Sequence, residues 1–483
     1  MRRISRIAAI AALALGAFVT NASAQNTFNY ILRSPSPAQA QAACQTYGLT
    51  MVRTIHAPDI YLVQASSAID PRTMVQWSQN DPNVTRIQQA GKMAVPEDPA
   101  PPAPLPGISS APTAPGAPNS SNVAAPALPG SGTLSGTQAK LYGSSAWSGY
   151  AQQPAIAGMN ASAIIQPTLS GSGIIAVIDT GVDPSNVVLA PVLVPGYDFT
   201  QNVTGGSELG DVSQSTAHIL FQSTAHILFG TQAVQVSPTA SALLDSNTAA
   251  AMQGVALPND FGHGTMVAGL IHLVAPNAQI MPLKAFAADG SADESDVISA
   301  IYYATDNGAS IINMSFGFPQ ISDALMKAIN YANRNGVICV AAVGNNSQNA
   351  LVYPAAFGNV IGVASVNSQY QLSSFSNFGP DMVTIAAPGE ALITTYPGNR
   401  YAAAWGSSFS AALVSGSVDL LMQSAKAGIS SQLLEADYAR ALSHARACGT
   451  GGNLGAGCVD LNQALKFIQS MNMQAAPPPP PSN

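Results

Sequence analysis

Short, continuous apolar runs, separated by segments of helical periodicity, dominate the chain from residue 145 to residue 468. These runs do not alternate apolar and polar residues, as strands exposed on one face do. Strands buried on both faces belong to parallel sheets that helices cover on each side. The pattern therefore predicts an α/β domain over residues 145–468, with a parallel sheet flanked by helices. The predicted strands are 174–178, 280–284, 310–314, 337–343 and 360–364, and the predicted helices are 264–273, 295–305, 323–335 and 408–424.

The first 24 residues have the three parts of a secretory signal peptide. A start with three arginines is followed by an apolar stretch over residues 7–19 and by a small-residue cleavage site that ends at Ala24. The apolar stretch is too short to span a bilayer stably, which disfavours the alternative of a membrane anchor. We expect cleavage after Ala24 and a secreted or periplasmic protein.

A second, smaller domain is predicted over residues 25–95. Its apolar pattern indicates an α+β domain with the element order βαββαβ. A linker over residues 96–144 follows, in which eleven prolines fall between Pro96 and Pro129. A further proline-rich segment forms the C-terminal tail, residues 469–483. Proline-rich segments of this kind are semi-extended and do not build a core.

An eight-residue repeat interrupts the α/β pattern over residues 214–253. The sequence Gln-Ser-Thr-Ala-His-Ile-Leu-Phe at 214–221 recurs unchanged at 222–229, and the period continues in degraded form. An even period keeps each side chain on one face of a strand, whereas on a helix it drifts around the axis. The repeat predicts an inserted β-like element or an array of stacked turns. The alternative is a tolerated surface insertion that arose by tandem duplication.

The composition restricts the partners that the chain can bind. Hydrophobic residues make up 47% of the sequence and charged residues 8%, which is typical of a globular protein with a buried sheet. Removal of residues 1–24 deletes three arginines and no acidic residue, so the net charge changes from −7 to −10. An acidic protein without a basic cluster is not expected to bind nucleic acid or an anionic membrane.

The chain has four cysteines, and two of them lie close together in the sequence. Cys448 and Cys458 flank a glycine-rich loop and suit a local disulfide in an oxidising compartment. Cys339 lies in an apolar strand-like run, which favours a buried free thiol. No cluster of cysteine and histidine has the spacing of a metal site, so no metal and no cofactor are expected.

Two segments offer a catalytic base and a carboxylate to orient it. Asp179 ends an apolar strand, and catalytic groups gather at the carboxyl ends of parallel strands. His263 lies between two glycines at the start of an apolar helix, which allows a tight turn that leaves the imidazole open. Asp179 belongs to an Asp-Thr-Gly sequence, which also occurs in aspartic peptidases. Those enzymes need two such carboxylates, and this chain has one Asp-Thr-Gly, in an α/β setting.

A nucleophile and an oxyanion donor complete the set. Ser408 is at the head of an apolar helical run, where the helix dipole favours negative charge. Asn345 follows another apolar strand, and its side-chain amide can donate a hydrogen bond to a tetrahedral oxyanion. Taken singly, the serine could be only a helix cap, and the asparagine could be only part of a turn. Together with the base and its partner they supply what nucleophilic acyl transfer requires.

The order Asp179, His263, Asn345, Ser408, with its flanking motifs, resembles that of the subtilisin-like serine peptidases. The resemblance covers residues 145–468 and extends to the segments 310–317, 386–389 and 455–460. It implies that Ser408 attacks the scissile carbonyl, His263 transfers the proton and Asp179 orients His263. Asn345 and the backbone N–H of Ser408 would bind the oxyanion. The substrate-binding residues implied by the resemblance are Ser315, Phe316, Gly317, Ala342 and Gly344.

The resemblance also implies how the protein is made and what it acts on. It implies a monomeric endopeptidase that takes protein or peptide substrates, and residues 25–95 resemble the propeptide of the family, a chaperone and temporary inhibitor. The sequence departs from the family pattern near Ser408, where Ser407, Phe409, Ser410 and Ala412 replace the usual threonine, methionine, alanine and proline. The longer loop that binds calcium in subtilisin is missing after His263, so no strong calcium site of that kind is expected. The alternative function is a non-catalytic binding or scaffold protein on a decayed peptidase fold.

Overall fold

The structure, a computed structural model, describes residues 27–94, 138–141, 144–212, 234–235, 242–244, 257–258, 260–426, 435–449 and 454–475. The predicted signal peptide, most of the predicted linker and most of the eight-residue repeat lie outside the described residues. The chain divides into two compact units, one up to Gln89 and one from Ala90 onward.

The first unit is a four-stranded antiparallel sheet with two helices. Its elements stand in the order βαββαβ, and the order of strands across the sheet is β2-β3-β1-β4. Ser36 caps the first helix by accepting a hydrogen bond from Gln39 N, and Gly48 ends that helix in a left-handed conformation. The bounds are β1 Phe28–Arg33, α1 Pro37–Tyr47, β2 Thr50–His56, β3 Ile60–Ala65, α2 Pro71–Asn80 and β4 Arg86–Gln89.

The larger unit is built on an eight-stranded sheet. The order of strands is β10-β9-β13-β8-β15-β16-β17-β18, and every neighbouring pair is parallel except the edge pair β9 and β10. The strands of the larger unit are β5 Lys92–Ala94, β6 Gln138–Leu141, β7 Ser144–Trp147, β8 Ile174–Asp179, β9 Tyr197–Asp198, β10 Val203–Thr204, β11 Val234–Gln235, β12 Ala242–Leu244, β13 Gln279–Lys284, β14 Ser291–Asp293, β15 Ile311–Met314, β16 Ile338–Ala342, β17 Ile361–Val366, β18 Ile385–Pro388, β19 Leu392–Tyr396 and β20 Arg400–Ala404.

Helices cover this sheet, as the apolar runs predicted. The predicted α/β class with a largely parallel sheet is confirmed, and each predicted strand and helix has a counterpart within a few residues of its predicted bounds. The helices are α3 Ser148–Ala151, α4 Pro154–Gly158, α5 His263–Val274, α6 Glu294–Asp306, α7 Asp323–Arg334, α8 Ser407–Lys426, α9 Glu435–Leu442 and α10 Leu461–Ala475, with 3-10 turns at Ala190–Val192 and Glu208–Asp211.

Two buried helices, α5 and α8, pack closely against each other. All residues of α5 are buried. A Cβ added at Gly416 of α8 would lie 2.9 Å from Val274 Cβ and 3.0 Å from Ile271 O, so the backbones approach where a side chain would not fit. The contact holds α5, which begins at His263, against α8, which begins at Ser407.

A second sheet, with the order β11-β12-β20-β19, lies in the same unit. Its strand β20 contains three alanines and was not predicted, because alanine has low β propensity. The strand is held by antiparallel pairing with β19 on one side and with β12 on the other. β11 and β12 are the parts of the predicted 214–253 insert that the structure describes.

The cysteines, the end of the last helix and the apolarity of the helices can each be compared with the expectations from the sequence. Cys448 and Cys458 form a disulfide, and Cys339 is buried and forms no disulfide with another described cysteine. Helix α10 runs to Ala475, past the predicted domain end at residue 468, because the first proline of the tail is Pro477. Within the part of the chain that the structure describes, no helix has both the length and the apolarity to cross a membrane.

Candidate active site

The four residues singled out for acyl transfer lie at element ends. Asp179 is the last residue of β8, and His263 is the first residue of α5. Asn345 follows β16, and Ser408 is the second residue of α8. β8, β15 and β16 are neighbours and parallel, so their carboxyl ends meet at one edge of the sheet. This edge is where α/β folds usually place ligands and catalytic groups.

Asp179 and His263 are joined by a buried hydrogen bond. The distance from His263 Nδ1 to Asp179 Oδ1 is 2.8 Å, and neither side chain is more than 1% exposed. Asp179 Oδ1 also accepts a hydrogen bond from Thr180 N at 2.7 Å. When Nδ1 donates its proton to this carboxylate, Nε2 is the ring nitrogen with a free lone pair, which is the atom that a general base needs.

A glycine before the histidine makes this placement possible. Gly262 has φ +93°, a left-handed conformation that glycine adopts readily, and it is the N-cap residue directly before helix α5. A Cβ at this position would lie 2.5 Å from Tyr396 Cε2. The turn therefore needs glycine for its conformation and for space.

Ser408 is held at the start of α8 and is fully buried. Its Oγ donates a hydrogen bond to Ser315 O at 3.5 Å, while Ser315 Oγ donates to Ser408 O at 3.0 Å. The Phe409 ring lies against the imidazole of His263, with ring centroids 5.4 Å apart. Helix α8 begins at Ser407, although the residues around Ser408 depart from the family pattern.

Asn345 faces the start of the same helix. Its Oδ1 accepts a hydrogen bond from Ser407 N at 2.9 Å, which fixes the orientation of the amide. The other end of the amide, Nδ2, is buried and has no hydrogen-bond partner among the described residues. A buried donor without a partner is costly, and its position beside the Ser408 turn suits a ligand that supplies an acceptor.

The five predicted substrate-binding residues lie near this edge. Ser315 and Gly317 follow β15, and Ala342 ends β16. Gly344 N donates to Ser407 Oγ at 3.1 Å, so this residue ties the β16 end to α8. Phe316 is fully buried against Phe286, with ring centroids 5.0 Å apart, and so serves the core.

An additional strand, which the sequence did not reveal, lies beside Gly317. Residues 92–94 form β5, which pairs antiparallel with β14 through Ala94 with Ser291 and Lys92 with Asp293. Gly317 N donates to Ala94 O at 3.4 Å. β5 was missed because residues 92–94 are few and directly precede the proline-rich stretch, and β14, Ser-Ala-Asp, has no apolar pattern.

Two further contacts and a buried side chain hold the same segment in place. Gly91 N donates to Glu294 Oε2 at 2.7 Å, and Lys92 Nζ lies 2.7 Å from Asp293 Oδ1. Met93, the residue after Lys92, is 3% exposed. Glu294 is buried, which raises the pKa of its carboxyl, and the hydrogen bonds from Ser322 and Gly91 act in the opposite direction.

Acidic groups other than Asp179 lie near His263. Burial raises the pKa of Asp260 to about 6; the charge of His263 lowers it, and Asp179 and Asp289 raise it.

Glu208 is buried between the turns that carry Asp179 and His263, and sequence reasoning missed it. Its one signal was a charged residue within a short glycine-rich segment, residues 205–210. Among the described residues, no group of three or more histidine, cysteine, aspartate and glutamate side chains could hold a metal ion.

Known proteins share this sequence pattern. The subtilase family model matches residues 171–454, more than half of the chain. A thermophilic serine proteinase of Bacillus sp. strain AK1 is 34% identical over 247 residues, covering 51% of this chain and 51% of that protein. Subtilisin DY of Bacillus licheniformis is 38% identical over 174 residues, covering 33% of this chain and 63% of that protein. The chain thus spans less than two thirds of the length of these relatives.

Proposed function

The chain belongs to the subtilase family, and we propose that it is a serine endopeptidase that hydrolyses peptide bonds through Asp179, His263 and Ser408. The observation that carries the proposal is the buried hydrogen bond of 2.8 Å between His263 Nδ1 and Asp179 Oδ1. It sets the tautomer in which His263 Nε2 is a base. Asp179 then stabilises the imidazolium that forms when Nε2 takes a proton.

In the proposed first step, Ser408 Oγ attacks the scissile carbonyl carbon while His263 Nε2 takes its proton. The hydrogen bond from Ser408 Oγ to Ser315 O is 3.5 Å long, at the limit for such bonds, so the hydroxyl loses little when it turns to the imidazole. The imidazolium then protonates the leaving amine as the C–N bond breaks. Water then attacks the carbonyl carbon of the acyl-enzyme while His263 Nε2 takes its proton. The imidazolium returns a proton to Ser408 Oγ as the bond between this oxygen and the acyl group breaks, and the carboxylic acid is released.

Two donors are proposed for the oxyanion of the tetrahedral intermediate. Asn345 Nδ2 is a buried donor without a partner among the described residues, and its amide is already oriented by Ser407 N. The backbone N–H of Ser408 is in the first turn of α8, where N–H groups have no partner within the helix. Donors that are oriented beforehand stabilise the transition state without reorganisation.

We also propose that the chain is made as an inhibited precursor in which residues 25–95 act as an intramolecular inhibitor. The pairing of β5 with β14 and the hydrogen bond from Gly317 N to Ala94 O support this, because an inhibitor or substrate chain binds peptidases as an added strand. The predicted signal peptide, 1–24, and the disulfide between Cys448 and Cys458 support a secreted or periplasmic location.

A fluorophosphonate probe tests the proposed nucleophile directly. We expect covalent labelling of the matured protein at Ser408, found by peptide mass spectrometry, and hydrolysis of casein that Ser408→Ala abolishes. Ser408→Ala should also leave the precursor uncleaved. Equal hydrolysis by the wild type and Ser408→Ala would refute the proposal. A folded, matured protein that neither hydrolyses casein nor takes up the probe would instead favour the scaffold alternative.

A further inference from the structure

Glu208 has a buried carboxyl group that the proposed reaction does not use. It opens the 3-10 turn Glu208–Asp211, and its side chain has no exposed surface. Glutamate is rarely buried completely, because removing a carboxyl from water is costly unless hydrogen bonds replace the water. The partners that replace the water therefore indicate what the residue does.

The carboxyl of Glu208 accepts three hydrogen bonds from two turns. Oε2 accepts from Gly262 N at 2.8 Å and from Thr180 Oγ1 at 3.3 Å, and Oε1 accepts from Thr265 Oγ1. Thr180 directly follows the aspartate of the proposed triad, and Gly262 directly precedes the histidine. One side chain thus connects the turn that carries the orienting carboxylate to the turn that carries the base.

The two threonine hydroxyls form further links between the same two turns. Thr180 Oγ1 accepts from Gly264 N at 3.1 Å, so it joins the aspartate turn to the histidine turn. Thr265 Oγ1 accepts from Asp183 N at 2.8 Å, so it joins the histidine turn to the aspartate turn. Each hydroxyl can also donate one hydrogen bond or accept a second one, so both can pair with the Glu208 carboxyl whether or not that carboxyl carries a proton.

Lys284 holds the other end of the 3-10 turn. Its ammonium group is buried, lies 2.6 Å from Asp211 Oδ2 and donates to Thr180 O at 2.9 Å. It also donates to Phe286 O at 2.7 Å. The turn that presents Glu208 is therefore fixed at both ends and cannot move away from the two loops without breaking buried hydrogen bonds.

We propose that Glu208 is a positioning residue that sets the geometry of the Asp179–His263 pair. Its hydrogen bonds keep Thr180 and Gly262 at a fixed distance from each other, so that Asp179 Oδ1 and His263 Nδ1 lie within hydrogen-bonding distance. This inference rests on the proposed peptidase function. A shift of about 1 Å between catalytic groups can cost roughly 100-fold in rate, so a tie of this kind acts on turnover rather than on substrate binding.

Two substitutions at Glu208 separate the effect of side-chain volume from the effect of the hydrogen bonds to Gly262, Thr180 and Thr265. Glu208→Gln can keep its amide oxygen in the Oε2 position, toward Gly262 N and Thr180 Oγ1, while its NH₂ donates to Thr265 Oγ1. Glu208→Met fills a similar volume but leaves three buried donors without an acceptor. We expect Glu208→Met to lower kcat about tenfold or more at unchanged KM, and Glu208→Gln to restore most of the rate.

Thr180 provides a milder pair of variants if Glu208→Met fails to fold. Thr180→Val removes one hydroxyl at nearly constant volume, and Thr180→Ser keeps the hydroxyl. We expect Thr180→Val to lose kcat and Thr180→Ser to retain it. A matched control is Asp419→Asn, which changes a buried carboxyl that accepts from Ser172 N and Gly173 N, both at 2.9 Å, away from the two turns.

All rates are measured on matured enzyme and divided by the number of sites that a fluorophosphonate titrates, so unfolded protein is not counted. A loosened Asp179–His263 pair stabilises the imidazolium less, so Glu208→Met and Thr180→Val should move the acidic limb of the kcat/KM profile to lower pH. Asp419→Asn should lower Tm and leave this limb in place. Unchanged kcat per titrated site and an unmoved limb in Glu208→Met or Thr180→Val would overturn the inference. An inactive, unlabelled wild type would instead refute the proposed function.

Discussion

Asn345 Oδ1 accepts a hydrogen bond from the backbone N–H of Ser407, at 2.9 Å, one residue before the proposed nucleophile. The amide therefore has two ends with different tasks. One end ties the loop after β16 to the start of α8, and the other end, Nδ2, is the buried donor that we propose for the oxyanion.

Substitutions at Asn345 can separate these two tasks. Asn345→Ala loses the tie and the donor, whereas Asn345→Asp keeps an acceptor for Ser407 N, loses the donor and adds a carboxylate that disfavours the oxyanion further. We expect both variants to lose kcat by roughly 10²–10³, the loss measured for one such donor in subtilisin, with KM little changed. The measurement is steady-state hydrolysis of a peptide ester per titrated site. Near-normal turnover in Asn345→Asp would mean that the tie alone matters.

Gly416 is predicted to be intolerant of any side chain. Gly416→Ala places a Cβ at 2.9 Å from Val274 Cβ and 3.0 Å from Ile271 O, so α8 must move away from α5. Overpacking of this kind costs typically about 1–3 kcal/mol, which exceeds the gain of about 1 kcal/mol from replacing glycine by alanine in a helix. We expect a lower Tm, measured in the Ser408→Ala background to prevent self-digestion. Gly358→Ala is the control, because nothing lies within 4 Å of its Cβ position; an equal Tm change in both variants would argue against close packing at Gly416.

The stability of the folded protein should fall as the pH rises, because Glu208 keeps its proton in the folded state to a higher pH than in the unfolded chain. Burial raises the pKa of Glu208 from 4.5 to about 8; Asp183 raises it further, while the hydrogen bonds from Thr265 and Gly262 and the charge of Lys284 lower it. Between these two values the folded protein holds a proton that the unfolded chain has released. The contribution of this group to the free energy of unfolding therefore falls as the pH rises from about 4.5 to about 8.

Glu208→Gln cannot ionise and should lack this contribution. With both proteins in the Ser408→Ala background, we expect the Tm difference between the protein that retains Glu208 and the Glu208→Gln variant to shift in favour of the variant as the pH rises from about 5 to about 8. Calorimetric melts at several pH values measure this. Parallel Tm curves would mean that Glu208 has the same pKa in the folded and the unfolded state.

The strand formed by residues 92–94 gives a test of the proposed inhibitor. Met93 is 3% exposed, so Met93→Asp places a charge in a buried position and should weaken the added strand. The free peptide 25–95 with this change should inhibit the matured enzyme at least about tenfold less tightly than the unchanged peptide. Lys92→Ala is the control: the Lys92 side chain is 77% exposed, so its ion pair with Asp293 should contribute little. Equal inhibition by the unchanged and the Met93→Asp peptides would exclude the buried strand as the inhibitory contact.

The sequence predicted the parts of the molecule whose chemistry is local. The strand that ends at Asp179 was predictable because apolar runs buried on both faces do not alternate. The helix that begins at His263 was predicted within one residue, because the glycines that allow the turn are its neighbours in the chain. The helix that begins at Ser407 was predicted within one residue, although the residues around Ser408 depart from the family pattern.

The features that were missed depend on contacts between distant residues. Glu208 meets Gly262 across 54 positions of sequence, and no local pattern marks a carboxyl that will be buried there. The strand β20 is alanine-rich and becomes a strand only through its partners β12 and β19. Residues 92–94 pair with β14, far along the chain, and neither segment has an apolar period of its own.

The hydrogen bond between Glu208 and Gly262 also closes the base of the segment that contains the eight-residue repeat. Glu208 precedes the repeat and Gly262 follows it. The distance from Gly262 N to Glu208 Oε2 is 2.8 Å, so the residues on either side of this long segment are in contact. Closing a loop costs only about 0.6 kcal/mol more for each doubling of its length, so an insertion between two fixed ends is tolerated at small cost. Evolution could therefore lengthen the path between Asp179 and His263 by duplication without altering the distance between them.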